Sequence, residues 1–468
     1  MSPSSEQPIL RRLAAFVVDF RTRELPREAL HAAARALVDW AAATIPGGVR
    51  PPATLLTLAL GNELGAGRAA LVPSGHRLAA RAAALINGCA AHTIEFDDIY
   101  RDALYHPGAP TIAAALAIAQ ERQASGDLFL RAVIAGYELS TRIGVVVQPA
   151  HYNFWHTTGT VGTFGAAAAA ATVLGLDTER CAHALATAGT LASGLQQAFR
   201  SHSMSKPIHS GHAAETGLLA AIAAERGVTG TLDILEGPRG FGAAMSNSPD
   251  FSRALDDPGA FNIRAMTFKN HSACGHTFAA IDAARELRFR HTLDGASLDD
   301  VEAIQIATYA KALEVAGNPD PRTPFEAQFS IAYCVAVALV TGSARLEAFR
   351  DERLSDPAVR RLMAKTELCV DAQADAAYPT QRAARLTIRF EDRPPISCLA
   401  PTRKGDPDNP LSDEELSEKF LELVAPITGS APARTLLSVL WDVSASSDVA
   451  RLPLPALAQT SLAAGSAD

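Results

Sequence analysis

Apolar residues recur at helical spacing from the start of the chain to about Lys269. The pattern predicts helices over Leu30–Ala43, Thr54–Glu63, Pro110–Arg122, Thr160–Leu174, Glu179–Leu191 and His212–Arg226. Local chemistry marks several ends: Pro110 suits a first turn, Asp177 an N-cap, and Gly175 and Gly227 stop signals. Most of the apolar positions are alanine or glycine, which lets helix axes approach closely. A tightly packed bundle is expected.

Beyond Lys269 the texture changes. Val301-Glu-Ala-Ile-Gln-Ile-Ala-Thr and Ala384-Arg-Leu-Thr-Ile-Arg-Phe alternate apolar with polar residues, as half-buried strands do. Helices are expected at Ala327–Val340 and Pro357–Ala364, so this stretch reads as α+β. The chain turns helical again over Glu414–Val424. The expected domains are 1–267 all-helical, 268–402 α+β, and 403–450 helices returning to the first domain, with a frayed tail over 451–468.

Composition narrows the function. The chain has 468 residues, 48% of them hydrophobic and 20% charged, which fits a globular protein able to bury a large core. A formal net charge of −8 argues against nucleic-acid binding, which needs a basic face. The longest apolar run, Gly159 through Leu176, is mostly alanine, glycine and threonine, and is too weakly apolar for a membrane span. Six scattered cysteines without a C-x-x-C pair speak against a zinc ribbon or thioredoxin motif. The first residues lack the basic-then-apolar pattern of a secretory signal, so a reduced, cytoplasmic setting is expected.

Four polar islands interrupt the alanine-rich sequence. Glu95-Phe-Asp97-Asp98 gathers three carboxylates ahead of His106-Pro-Gly, and such crowding favours a bound cation or a shared proton. Alone it reads more plainly as a solvated loop with an N-cap. His156-Thr-Thr-Gly-Thr opens a long helix with glycines that let a ligand approach the backbone; helix packing explains them equally well. Lys206-Pro-Ile-His209-Ser-Gly-His212 precedes the His212–Arg226 helix and offers a cation plus imidazoles for a carboxylate substrate. Lys269-Asn-His271-Ser-Ala-Cys274-Gly-His276 sits where the texture changes, and its plainer reading is a polar linker. Only six lysines occur in the chain, and two lie in these islands, which weakens the solvated-loop reading. No H-E-x-x-H or comparable pattern supports a metal site.

Taken together the islands resemble the MmgE/PrpD family, which includes 2-methylcitrate dehydratase and cis-aconitate decarboxylase. The similarity runs through all four islands and through Leu235-Glu-Gly-Pro-Arg-Gly-Phe, Phe268-Lys-Asn-His and Asn409-Pro-Leu-Ser…Lys419-Phe. The resemblance implies a mainly α protein: a large all-helical domain built from both chain ends and a smaller α+β lid domain. It also implies a homodimer, a site between the domains, and catalysis without metal or organic cofactor. By motif position the catalytic residues fall on His106, His156, Glu95, Asp97 and Lys206. Substrate contacts are expected from Asp98, His209, His212, Lys269, His271, His276 and Tyr333.

Two departures from the family pattern stand out. Glu95 replaces a common aspartate and moves the carboxylate by one bond length, about 1.5 Å. Phe278 occupies a position where many members carry histidine, with His276 two residues earlier. The expected function is a cofactor-independent lyase on a small di- or tricarboxylate, foremost a 2-methylcitrate dehydratase-like hydro-lyase. A decarboxylase or epimerase of a related acid is the alternative; a non-catalytic carboxylate-binding protein and a metal-dependent hydrolase are rivals of other classes.

Overall fold

The computed structural model describes residues 7–199, 203–257 and 259–454. The expected frayed tail lies outside them from residue 455 onward. The chain forms two compact units, one from Met1–Thr267 with Ser412–Asp468 and the other from Phe268–Leu411. The protein is mainly helical, with strands concentrated in the second unit. No helix among the described residues is long and apolar enough to cross a membrane.

The first unit is a bundle around the helix Thr157–Leu174, whose residues from Thr157 through Val173 are all buried. A helix covered on every side carries no polar face. Thr163 and Thr172 satisfy their hydroxyls within the helix, Thr163 on the Gly159 carbonyl at 3.0 Å and Thr172 on the Ala168 carbonyl at 2.9 Å. Asp177 caps the following helix, accepting from the Arg180 N–H at 2.8 Å, and Gly175 takes the left-handed conformation that ends the preceding one. Two helices of this unit, Ala80–Thr93 and Gly126–Val147, were not predicted. Both are buried on several faces, so their sequences lack the one-sided stripe that marks an amphipathic helix.

Close approach of backbones is literal here. A Cβ on Gly211 would lie 2.2 Å from the Leu85 carbonyl oxygen, so only glycine lets Ser205–Glu225 cross Ala80–Thr93 at this depth. That crossing brings the polar ends of the two helices together. The Ser205–Glu225 helix also starts well before the expected His212, which puts Lys206 and His209 on its first turns instead of in a loop. Pro207 is tolerated there because N–H groups of the first turn have no helical partner.

The returning segment, helices Asp413–Thr428 and Ser430–Trp441, carries a buried cation into the first unit. The Lys419 ammonium bonds Asp39 at 2.6 Å and the Phe96 carbonyl at 3.1 Å, and lies 4.1 Å from the Phe96 ring centroid. Phe96 stands between Glu95 and Asp97, so this ion pair fixes the first polar island from below.

The second unit holds one mixed sheet with strand order Thr366–Val370, Val301–Thr308, Ala384–Phe390, Ile396–Ala400. The first pair is parallel and the other two antiparallel. Ile304, Ile306, Leu386 and Ile388 point into a core completed by Ile281 and Leu287 of the Phe278–Arg290 helix and by Val335 and Leu339. The two outer strands were not anticipated, being short and half-exposed. The expected helix Ala327–Val340 is interrupted: Pro324–Gln328 ends at Phe329, and Ser330 caps Ile331–Thr341 by accepting from the Tyr333 N–H at 3.2 Å. Residues 403–411 are tied into this unit, with Phe268 N–H donating to the Gly405 carbonyl at 2.9 Å and Arg403 paired with Asp406.

Candidate active site in the helical unit

The loop after Ala80–Thr93 is held in place by Asp98. One carboxylate oxygen accepts from the Gly108 N–H at 2.9 Å and the other from the Tyr137 hydroxyl at 2.7 Å. Asp98 thereby anchors the start of the Gly108–Glu121 helix and with it the adjoining His106. Burial, followed by the charge of nearby Asp39, pushes the Asp98 carboxyl up to about 8. It is buried and both of its oxygens are engaged by the protein.

Asp97 points the other way. Its Oδ2 lies 2.7 Å from His92 Nδ1 and 3.4 Å from His106 Nδ1. Burial opposes its charge, but the two imidazoles outweigh that and hold the carboxyl well below its usual range. His106 is partly exposed, while Asp97 and His92 are buried. His106 does not cap its helix by side chain; its backbone N–H donates to Thr158 Oγ1 at 3.3 Å, joining the His106 and His156 islands.

His156 precedes the first turn of the central helix and is fixed by its N–H on the Gly194 carbonyl at 2.9 Å. Its Nδ1 lies 3.2 Å from His209 Nδ1, and its ring stacks on His92 at 5.3 Å between centroids. Gly159 makes room for His209: a Cβ there would come within 3.0 Å of the His209 Cβ. Burial, then the positive surroundings of His92, Lys206, His106 and His209, holds His156 well below its ordinary value. Burial likewise lowers His209 to about 4. Both rings are neutral at pH 7 and act as hydrogen-bonding groups there.

Lys206 forms an ion pair with Glu95, and its ammonium lies 5.1 Å from the Phe199 ring, which meets His156 edge-on at 4.8 Å. Glu95 has φ of 55°, a left-handed backbone that a side chain other than glycine rarely adopts. Glu95 and Lys206 remain accessible, with 48% and 23% of their side chains exposed. His106, His156, His209, Lys206, Asp97 and Glu95 are therefore one connected cluster within the first unit. His212 is one helical turn along from His209 and bonds its own helix through Thr216 at 3.3 Å.

The remaining expected residues belong to the second unit. His271 is buried against Asp282 at 2.8 Å, and His276 Nδ1 meets the Tyr309 hydroxyl at 2.8 Å. Lys269 is nearly buried. Tyr333 is fully buried in the hydrophobic core of this unit, with its hydroxyl donated to the Ala348 carbonyl at 2.5 Å. Burial raises the Cys274 thiol above its ordinary value, which makes it a poor nucleophile.

His92 was missed from sequence. It lies in the last turn of the alanine-rich helix Ala80–Thr93, three residues before Glu95, and that short spacing is the signal that marks it. Among the described residues, His92, Asp97 and His106 are the one group of potential ligand side chains close enough to hold a metal ion, with donor atoms within 4.8 Å of one another. The same Asp97 and His92 atoms already form a hydrogen bond. A separate cavity of about 400 Å³ in the first unit has charged walls that pair with each other, Arg81 with Glu215 and Arg122 with Glu225.

The chain is similar to known proteins over most of its length. A family model described as the MmgE/PrpD N-terminal domain matches residues 11–254, and one described as the MmgE/PrpD C-terminal domain matches residues 271–443. A human protein named cis-aconitate decarboxylase is 30% identical over 364 residues, covering 74% of this chain and 72% of its own. The mouse protein of that name is 30% identical over 352 residues, with 74% and 72% covered. An Aspergillus oryzae protein named cis-aconitate decarboxylase-like protein oryM is 26% identical over 473 residues, covering 96% of this chain and 97% of its own.

Proposed function

This chain belongs to the MmgE/PrpD family, and from that premise we propose that it is a lyase acting on a small polycarboxylate. The finer reading is decarboxylation of a cis-aconitate-like tricarboxylic acid. It takes precedence over the 2-methylcitrate dehydratase-like reaction expected from sequence because three relatives carry the decarboxylase name. The observation that carries it is the meeting of Glu95, His106, His156, Lys206 and His209 around one accessible patch of the helical unit.

The chemistry suits those groups. In such an acid the bond from the methylene carbon to its carboxylate breaks and CO2 leaves. The electron pair forms a new terminal double bond, and the far carbon of the old one takes up a proton. Lys206 holds a substrate carboxylate and steadies the charge that spreads during the shift. His156 and His209, both neutral, share one hydrogen between their Nδ1 atoms, so the ring that accepts there carries its own hydrogen on Nε2 and can donate it to the same anion. His106, as imidazolium balanced by Asp97, delivers the proton from Nε2 and is left with its hydrogen on Nδ1. No cofactor is needed for these steps.

The test is incubation with cis-aconitate, 2-methylcitrate and citrate, followed by NMR. Methylenesuccinate with one equivalent of CO2 is expected from cis-aconitate. Water loss from 2-methylcitrate alone would restore the hydro-lyase reading. Tight binding of all three without turnover would make the protein a carboxylate binder.

A further inference from the structure

His92 has no part in the reaction just described, yet it is among the most constrained groups in the cluster. It is fully buried. Its Nδ1 meets Asp97 Oδ2 at 2.7 Å, and the same oxygen lies 3.4 Å from His106 Nδ1. The His92 ring stands edge-on to His106, with centroids 4.9 Å apart, and stacks on His156. One buried carboxylate oxygen thus bonds His92 and faces the His106 Nδ1 at ion-pair distance on the other side of the loop.

An ionised carboxylate only accepts hydrogen bonds, so the His92 Nδ1 bonded to it carries the hydrogen, and the His106 Nδ1 that faces the same charge at 3.4 Å is favoured as N–H over a lone pair. In their neutral forms both rings are therefore Nδ1–H tautomers, and the reactive lone pair of His106 is confined to Nε2. We propose that His92 and Asp97 form a positioning pair, in which the His92 Nδ1–H anchors Asp97 Oδ2 so that Asp97 fixes the tautomer and aim of His106. On this account Asp97, expected from sequence to act on substrate, works through His106. The proposal rests on the reading of His106 as the proton-transfer group.

The rival is that His92 simply fills space, and two substitutions separate them. Phenylalanine keeps the ring volume and loses the donor. Asparagine loses volume, but its amide N–H can take the place of the Nδ1–H. His92→Phe should lower kcat by about 10-fold or more with KM little changed, and His92→Asn should recover most of that loss. Asp97→Asn, which places an amide where the shared acceptor stood, should cost about 10²-fold or more in kcat. Full activity in His92→Phe with a poorer His92→Asn would overturn the proposal in favour of packing. Stoichiometric divalent metal in the purified protein, lost in Asp97→Asn, would overturn it in favour of a metal centre on the same three side chains.

Nitrogen-15 NMR of histidine-labelled protein gives a readout independent of substrate. At a pH where the His106 ring is neutral it should report the Nδ1–H tautomer in wild type and a mixture or the opposite tautomer in Asp97→Asn. An Nε2–H tautomer in wild type would sink the positioning role even if the lyase activity is confirmed. Should the protein act on no polycarboxylate, the tautomer result still decides the positioning role and the functional reading alone falls.

Discussion

Glu95 is ion-paired with Lys206, the ammonium that the proposed reaction assigns to a substrate carboxylate. In the free protein the site therefore carries its own carboxylate where the ligand's would go. Both partners are partly exposed, and pairs of this kind are worth only about 0.2–1 kcal/mol. Substrate can displace Glu95 at small cost. Glu95→Gln should tighten binding of a tricarboxylate by up to about fivefold in Kd, measured by calorimetry. Weaker binding would mean that Glu95 helps hold the ligand.

Asp98 gives a pH signature. Its carboxyl is pushed from an ordinary value of 3.8 to about 8, chiefly by burial. A folded value above the unfolded one means the contribution to stability is fully present below 3.8 and is lost as pH rises through about 8. Asp98→Asn has no such proton to lose. Its Tm relative to wild type should rise between pH 5 and pH 9, by about 2 °C or more. A pH-independent difference would contradict a protonated Asp98.

Lys419 and Asp39 are both buried, and their ion pair holds the backbone at Phe96. Removing one member of such a pair leaves the other charge stranded. Lys419→Met should destabilise the protein by roughly 3–5 kcal/mol in denaturant titrations. The double variant Lys419→Met with Asp39→Leu should recover much of that loss. Equal loss in both would show that the pair is not a unit.

Tyr333 tests the one site expectation that falls inside a core. Tyr333→Phe should leave turnover within about twofold of wild type while costing about 1 kcal/mol of stability for the lost bond to Ala348. A large loss of turnover would return the hydroxyl to the site.

Much of this arrangement is legible in the sequence because its chemistry sits at helix starts. His106, His156 and Lys206 each lie beside the first turn of a buried helix, where glycine, proline and hydroxyl residues mark the entrance. The central helix and its Gly175 stop could be read for the same reason. What escaped reading has physical causes. The helices Ala80–Thr93 and Gly126–Val147 are apolar on several faces and give no clean periodicity. His92 lies in the last turn of the first of these and so looked like part of an undifferentiated alanine run. Tyr333 was placed by motif position alone, and nothing in linear order tells that its side chain turns into the core of the α+β unit. The Lys419–Asp39 pair joins residues 380 positions apart, a separation no local pattern encodes.

The decisive measurement is kcat on cis-aconitate for wild type, Lys206→Ala and His156→Ala, each matched by circular dichroism and melting temperature. A lyase built on this cluster requires that each variant lose about 10²-fold or more with the fold intact. Rates within about threefold of wild type in both would place the chemistry elsewhere in the protein.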